Sequence, residues 1–444
     1  MALTGMQIYK LLPKTNCKDC ALPTCMAFAM QVAAKQKALT DCPHVSAEAQ
    51  AQLSDASAPP MKKVTIGTGD AAVVIGQETV MFRHEEKFHH RTAIAVRVPA
   101  SLNDAAASAL AEKIKAAAWT RVGEQIRVGL AAVEIDGCAD AAARAKSVAD
   151  ACGVPLILMG ADAARMQAAV TAVKAGRPLV YPTAAAAVEP LAAIAGAAKL
   201  PLAVMGADLA QMADLTGKAR AKGVEELVLA FSGADAGGTI RTITIARRAA
   251  IKKSFRALGY PALVDVVADT PELETVLAAT FAVKYASIVV VRTVEPWALL
   301  PVLAAIQNIY TDPQKPNAVE AKLYEIGNPN ENSPVLFTTN FSLTYFSVEG
   351  EVVRSKIPAY ICVVETEGLG VLNSYAGDKI SAEKVIKTLK DQGVAAKVKH
   401  RRLIIPGLLP IFRAEIEEGS EWKEVLIGPE SAGKIPAFLN EVWR

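Results

Sequence analysis

Eight short apolar runs, each followed by an alanine-rich segment with helical spacing, constrain this chain more than any other feature. They are TAIAVRV (92–98), IRVGLAAVEI (126–135), VPLILMG (154–160), PLVYPT (178–183), PLAVMG (201–206), ELVLAF (226–231), PALVDV (261–266) and SIVVVRT (287–293). Continuous apolar strands alternating with helices require a parallel sheet covered on its outer face, because crossover helices bury both sides of each strand. Eight such units within a typical barrel length of roughly 250 residues match a closed TIM (β/α)8 barrel. An open doubly wound sheet has the same periodicity, so closure stays open at this level.

Two composition breaks bound this region. SDASAPPMKK (54–63) ends a short head, and TDPQKPNAVEAKLYEIGNPNENSP (311–334), with its prolines and amides, reads as a linker. Beyond it AYICVVETEG (359–368), RRLIIPG (401–407) and KEVLIG (423–428) read as strands, and SAEKVIKTLKDQG as a helix stopped at Gly393. In open α/β sheets ligands bind beyond the carboxyl ends of strands, here the loops GLGVLNS, PGLLP and GPESAG. Tight turns would explain the same glycines. The 444 residues suit two to four domains. The expected division is a head at 1–57, linker and barrel at 58–325, and a third domain at 326–444.

Four of the seven cysteines lie within the first 42 residues, spaced C-x2-C-x4-C-x16-C: Cys17, Cys20, Cys25 and Cys42. Clustered thiols in a long chain without a secretory signal are more often metal ligands than disulfide partners. Three close cysteines and a distant fourth followed by Pro43 favour a 4Fe-4S cluster; zinc or unligated thiols are the alternatives. Pro13, Pro23 and Pro43 would stiffen the ligand loops, and Met26, Phe28, Met30 and Val32 would give an apolar cover. Cys138, Cys152 and Cys362 lie in apolar runs and read as buried thiols. HEEKFHH, with His84, His89 and His90, reads as a solvated charged face.

The barrel offers little chemistry. Gly-Ala-Asp recurs after three strands, ending at Asp162, Asp208 and Asp235. A ring of carboxylates is the functional reading, but Asp just before a helix is a common N-cap. A formal net charge of +3, from 48 basic and 45 acidic residues, argues against a nucleic-acid partner. No run has the 18 or more apolar residues of a membrane span, and the N-terminus lacks a signal-peptide apolar region, which predicts a cytoplasmic protein without a membrane partner.

Taken together, MALTGMQIYKLLPKTNCKDC with LPTCMAFAM and DCPH, the eight-unit centre, and TTNFSLTYFSVEGEVV with ETEGLGVLNSYAGDKISA resemble the large (gamma) subunit of the corrinoid iron-sulfur protein of acetyl-CoA decarbonylase/synthase systems. The resemblance covers the whole chain. One departure is Ala21, where the motif commonly carries Gly. The resemblance implies a 4Fe-4S head, a central barrel and a C-terminal Rossmann-like α/β cobalamin-binding domain. It also implies a methyl carrier of the reductive acetyl-CoA (Wood-Ljungdahl) pathway, rather than a stand-alone enzyme, with no catalytic residue of its own. Co(I) corrinoid would accept methyl from methyltetrahydrofolate on a methyltransferase and donate it to the nickel cluster of acetyl-CoA synthase/CO dehydrogenase. The iron-sulfur cluster would reduce spent Co(II), fed by a donor such as ferredoxin, and a small subunit would complete a heterodimer. Carried over by position, Asn340, Phe346, Gly370, Val371, Leu372, Asn373 and Gly433 would contact the corrinoid, with Tyr345, Ser374, Gly377, Gly407 and Leu408 as further contacts. Ordinary core is the other reading of Phe341, Tyr345 and Phe346.

Within the C-terminal domain the sole histidine is His400, and the D-x-H-x-x-G signature is absent. A strong axial imidazole would disfavour Co(I), so the expectation is a base-off, histidine-off corrinoid, its lower face near Leu372, Asn373 and Ser374. The rival function is a self-contained iron-sulfur enzyme with catalysis in the barrel.

Overall fold

The computed structural model describes residues 5–33, 37, 41–46, 59–310 and 316–443. The chain divides into two compact units: residues 1–85, 89–117 and 127–309, and residues 86–88, 118–126 and 310–444. Among the described residues no helix is long and apolar enough to cross a membrane.

In the first unit, helices α1 (Gly5–Leu11) and α2 (Cys25–Ala33) pack together. They enclose a small core of Ile8, Leu12, Phe28 and Ala29 that includes Cys20, Cys25 and Cys42. The helix expected between Cys25 and Cys42 is described only to Ala33, and residues 54–58 of the first break lie outside the described residues.

An antiparallel hairpin of β1 (Lys63–Ile66) and β2 (Val73–Gly76) precedes the barrel and contributes Val64, Ile66 and Ile75 to its core. Strand β3 (Ala93–Val98) is followed by helix α3 (Asp104–Ala116), then by a hairpin of β4 (Ala118–Arg121) and β5 (Glu124–Arg127). The apolar run 126–135 therefore splits, its first residues closing this hairpin and only β6 (Leu130–Glu134) entering the barrel. The remaining pairs are α4 (Ala141–Cys152) after β6, β7 (Leu156–Gly160) with α5 (Ala163–Val173), and β8 (Leu179–Pro182) with α6 (Val188–Ala198). Then come β9 (Leu202–Val204) with α7 (Leu209–Ala221), β10 (Leu227–Ser232) with α8 (Ala236–Lys253), β11 (Ala262–Asp265) with α9 (Pro271–Val283), and β12 (Ala286–Val291) with α10 (Pro296–Ile309). All neighbouring barrel strands are parallel, and β12 pairs with β3, Ile288 opposite Ala93 through Val291 opposite Val96, so the sheet closes. The interior alternates small Ala93, Ala95, Ala132, Ala203 and Ala230 with larger Leu130, Ile157, Leu263 and Ile288, which fills the barrel without a channel.

The second unit contains a five-stranded sheet ordered β13-β15-β14-β16-β17. Its strands are β13 (Leu323–Ile326), β14 (Val335–Thr339), β15 (Ala359–Val364), β16 (Arg402–Ile405) and β17 (Glu424–Ile427); only β13 is antiparallel. β13 lies within the segment read from composition as a linker, of which residues 311–315 are outside the described set; the backbone of Leu323–Ile326 pairs with β15 despite flanking prolines and amides. The longest stretch of this unit is 310–444, joined by residues 86–88 and 118–126.

Helices α11 (Ser342–Ser355) and α15 (Ile435–Glu441) share one core with Leu336, Ile361 and Ile404. On the opposite face α13 (Ala382–Asp391) and α14 (Phe412–Gly419) share a core with Phe337, Cys362 and Trp422. The short helix α12 (Val371–Ala376) starts just past β15. Of the hairpin residues grouped with this unit, Gly123 (φ +71°) meets Phe346: a Cβ there would lie 2.3 Å from the ring, so only glycine lets the turn close on it.

Candidate functional site

Two places in the molecule are built for cofactors. In the head, Cys20, Cys25 and Cys42 are buried and Cys17 is exposed. The loop entering them has positive φ at Lys14, Asn16, Lys18 and Ala21, three of them at alternate residues. Asn16 occupies a central place: its backbone N–H donates to Cys25 Sγ at 3.4 Å, while its Oδ1 accepts the Cys25 N–H at 2.8 Å.

Single-ion zinc with Zn–S bonds of about 2.3 Å would draw four sulfurs to about 3.8 Å of one another. Among the described residues the trio of potential donors within 4.8 Å is Cys17, Asp19 and His44, so the four thiols are spaced more widely than one ion requires. The four-thiol donor set and the Asn16 N–H on the Cys25 sulfur fit a polynuclear iron-sulfur cluster. His44 Nε2 sits 2.5 Å from Asp19 Oδ2, and the hydrogen bonds from His44 and then Cys17 hold the Asp19 carboxyl below its usual range. Of the expected apolar cover, Phe28 is buried, but Met30 points outward because α2 turns it away from the core.

The barrel mouth is occupied by its own ion pairs. Arg97 follows the inward-facing Ala93 and Ala95 on β3 and pairs with Asp265 and Glu134 from other strand ends. Burial pushes the Asp265 carboxyl up against the opposing pull of Arg97. Asp162, Asp208 and Asp235 cap their helices through the amides of Arg165 (2.9 Å), Gln211 (2.8 Å) and Gly238 (3.0 Å), the capping role anticipated for them. Asp136 accepts from Ala161 N at 2.6 Å. These carboxylates hold loops rather than facing a substrate.

In the second unit, the parallel strands follow the order 2-1-3-4, which reverses direction between β14 and β16. Such a switch point opens a crevice beyond the strand ends, and β14 and β16 pair at only Leu336 and Ile404 before diverging. A cavity of about 350 Å³ opens there, lined by Leu336, Thr338, Leu343, Val371, Ile404 and Leu408 among others. Thr338 is 1% exposed, and its hydroxyl has no hydrogen-bond partner. Sequence reading missed it; the signal was a Thr-Thr-Asn sequence closing an otherwise apolar strand.

The expected corrinoid contacts separate into groups. Val371 and Leu408 line the cavity, and Leu372 is 54% exposed on α12 beside exposed Asn373. Gly370 is the N-cap of α12, while Ser374 is buried with its hydroxyl on the Val371 carbonyl. Gly377 and Gly433 lie exposed. Gly407 carries no Cβ because one would lie 2.4 Å from the Gly428 carbonyl oxygen and 2.6 Å from Glu430 N. Tyr345 is core, its ring centroid 4.5 Å from that of Tyr324 and its OH on Glu349 at 3.0 Å, and the half-buried Phe346 meets it edge-on at 5.1 Å. Asn340, 2% exposed, is a tie between loops: its Oδ1 accepts from Thr366 N, Thr366 Oγ1 and Gly368 N, and its Nδ2 donates to Glu365. His400 precedes β16, at the end of the sheet opposite the crevice. Its Nε2 contacts the Ser333 carbonyl at 2.9 Å and its Nδ1 accepts from Arg402 N.

Comparison with known proteins gives concordant matches. The CO dehydrogenase/acetyl-CoA synthase delta subunit family model matches residues 63–439, and an Fe-S cluster family model matches residues 12–44. The chain is 44% identical to the corrinoid/iron-sulfur protein large subunit of Moorella thermoacetica, over 99% of both chains. It is 34% identical to the acetyl-CoA decarbonylase/synthase complex subunit gamma of Methanothermobacter thermautotrophicus, covering 100% of this chain and 99% of that one. With the gamma subunit of Methanopyrus kandleri the identity is 36%, over 99% and 98%.

Proposed function

The chain belongs to the family of corrinoid/iron-sulfur protein large subunits, the gamma subunits of acetyl-CoA decarbonylase/synthase complexes, and we propose from that premise how its two sites divide the work of a methyl carrier. Its role is methyl transfer in the reductive acetyl-CoA pathway, with a 4Fe-4S cluster and a corrinoid as cofactors. When bound, the corrinoid supplies a cobalt centre that takes up and gives away methyl, and the cluster supplies the electron that restores it.

Cys17, Cys20, Cys25 and Cys42 hold the cluster, and the Asn16 N–H donates to the Cys25 sulfur. The Rossmann-like C-terminal unit binds the corrinoid beyond β14 and β16. Val371 to Asn373 and Leu408 contact it directly, with Gly370, Ser374, Gly377, Gly407 and Gly433 shaping the surrounding loops. Asn340 acts as a positioning residue through residues 366–368, and Tyr345 and Phe346 support α11 from within the core. The histidine of this unit, His400, is bound to Ser333 at the far end of the sheet from the crevice, which supports the histidine-off state.

The partners are the small subunit and acetyl-CoA synthase/CO dehydrogenase, together with a methyltetrahydrofolate methyltransferase and a ferredoxin-type donor, in the cytoplasm. The observation that carries the reading is the coexistence, in one chain matched end to end, of the four-cysteine head and the switch-point crevice. Anaerobic reconstitution with the small subunit and corrinoid should yield about four iron atoms per chain and corrinoid absorption. Absence of cobalt after that treatment overturns the reading. Nitrogen superhyperfine splitting in the Co(II) EPR spectrum refutes the histidine-off, base-off state.

A further inference from the structure

In the head, exposure and positive charge fall on the same loop. Of the four clustered thiols Cys17 alone is exposed, and it lies in an unbroken exposed stretch from Pro13 to Asp19. An outside molecule therefore approaches a cluster held by these thiols most closely at the Cys17 edge. The first 18 residues carry Lys10, Lys14 and Lys18 and no carboxylate side chain, although the whole chain balances 48 basic against 45 acidic residues. All three lysines are exposed. Among the described residues of the head the carboxylates are Asp19 and Asp41, and these are engaged by His44 and by Lys37 (3.9 Å). Lys14 Nζ lies 5.7 Å from the Tyr9 ring centroid, and none of the three lysines pairs with an acidic side chain among the described residues.

We propose that Lys10, Lys14 and Lys18 form the docking surface for the cluster's electron donor, and that this donor is a one-electron carrier protein recognised by carboxylates around its own redox centre. The inference rests on reading the four thiols as the ligands of a cluster reduced from outside. One electron leaves the metal centre of the carrier, which is oxidised by one unit, and enters the cluster, which is reduced by one; no proton moves and no bond is made or broken. Redox encounters are small and transient, and complementary charge raises their on-rate more than their affinity. Unpaired cations beside the exposed ligand supply that steering at the point where the electron enters. The same lysines could instead balance the negative charge of four thiolates, a role that would show in the cluster potential and not in the encounter.

The test uses the full chain with its small subunit and reconstituted cluster, and an acidic two-cluster ferredoxin as the probe. Lys10→Gln, Lys14→Gln and Lys18→Gln together should slow stopped-flow reduction by the ferredoxin on the order of tenfold at low ionic strength. Binding of the oxidised ferredoxin, followed by calorimetry, should weaken in the same variant. Both differences should vanish in roughly 1 M salt, where the screening length is about 3 Å. Reduction by a low-potential viologen radical cation needs no acidic dock and should not slow. Lys113→Gln, Lys174→Gln and Lys253→Gln together remove the same charge from exposed positions on the barrel and should leave ferredoxin reduction as it is. Equal slowing in the two triple variants would make the effect one of net charge, and equal slowing with ferredoxin and viologen would make it one of potential. Either result, or no slowing at all, overturns the inference while the cluster reading stands. A protein that binds no iron, or whose cluster neither reductant reduces, overturns both.

Discussion

Asn340→Ala should loosen the loop that presents α12, and the size of the effect follows from counted hydrogen bonds. In the protein, Asn340 Oδ1 accepts the amides of Thr366 and Gly368, both at 3.0 Å, and the Thr366 hydroxyl at 2.9 Å. The hydroxyl can give its one proton to the Leu369 carbonyl at 2.9 Å instead, so the substitution strands two backbone donors, each at a buried residue. At the low end of about 1 kcal/mol per stranded buried donor, the loop loses about 2 kcal/mol. That is about a thirtyfold increase in its opening equilibrium. Hydrogen-exchange mass spectrometry on the full chain reads this directly in peptides covering residues 365–370, with the barrel strands as an internal reference. Corrinoid retention should fall in parallel, since Gly370 caps α12 from the same loop. Unchanged exchange in 365–370, with corrinoid retention intact, would refute the tie attributed to Asn340.

Other consequences are as direct. Arg247 and Glu78 form a buried pair, 4% and 5% exposed, in which burial pushes the Glu78 carboxyl up against the lowering effect of Arg247. Arg247→Met should cost about 3–5 kcal/mol at neutral pH. A carboxyl raised on folding contributes stability below its unfolded pKa and loses it as pH rises, so the deficit should shrink in denaturant titrations toward pH 4 and grow toward pH 8. A pH-independent deficit contradicts this assignment. Ala21 sits at φ +63°, where a Cβ costs about 1 kcal/mol, so Ala21→Gly should slow iron loss to a chelator. Asn16→Gly keeps the left-handed backbone but removes the clamp on Cys25; a weaker N–H···S contact should move the cluster potential to a more negative value in an EPR-monitored titration. Gly407→Ala would press a Cβ into the backbone of Gly428 and Glu430, costing about 1–3 kcal/mol by thermal melt and narrowing the crevice.

The barrel was legible because its signal is local and repeated. Strands such as SIVVVRT carry a continuous apolar stretch, here Ile288–Val291, since helices cover one side and the barrel interior the other. Capping by Asp162, Asp208 and Asp235 was equally legible, as a cap acts within three residues. Where distant backbone decides, local patterns misled. The Pro- and Asn-rich segment after the barrel includes β13, because β15 offers it an edge, and the run from Ile126 divides because residues 118–126 belong to another unit. Tyr345 and Phe346 are aromatic in either role, and only the fold shows Tyr345 buried with Phe346 half-buried edge-on against it.

The amino-acid order by itself determined the set of thiols the head offers and the alternation of strand and helix, since thiol spacing and hydrophobic period are properties of neighbouring residues. Tertiary structure alone decided that β12 meets β3, that Arg97 fills the barrel mouth, and that strand order reverses beside β14, where a crevice opens. Those outcomes depend on pairings between residues tens to hundreds of positions apart, whose free energy exists only once the chain has closed on itself.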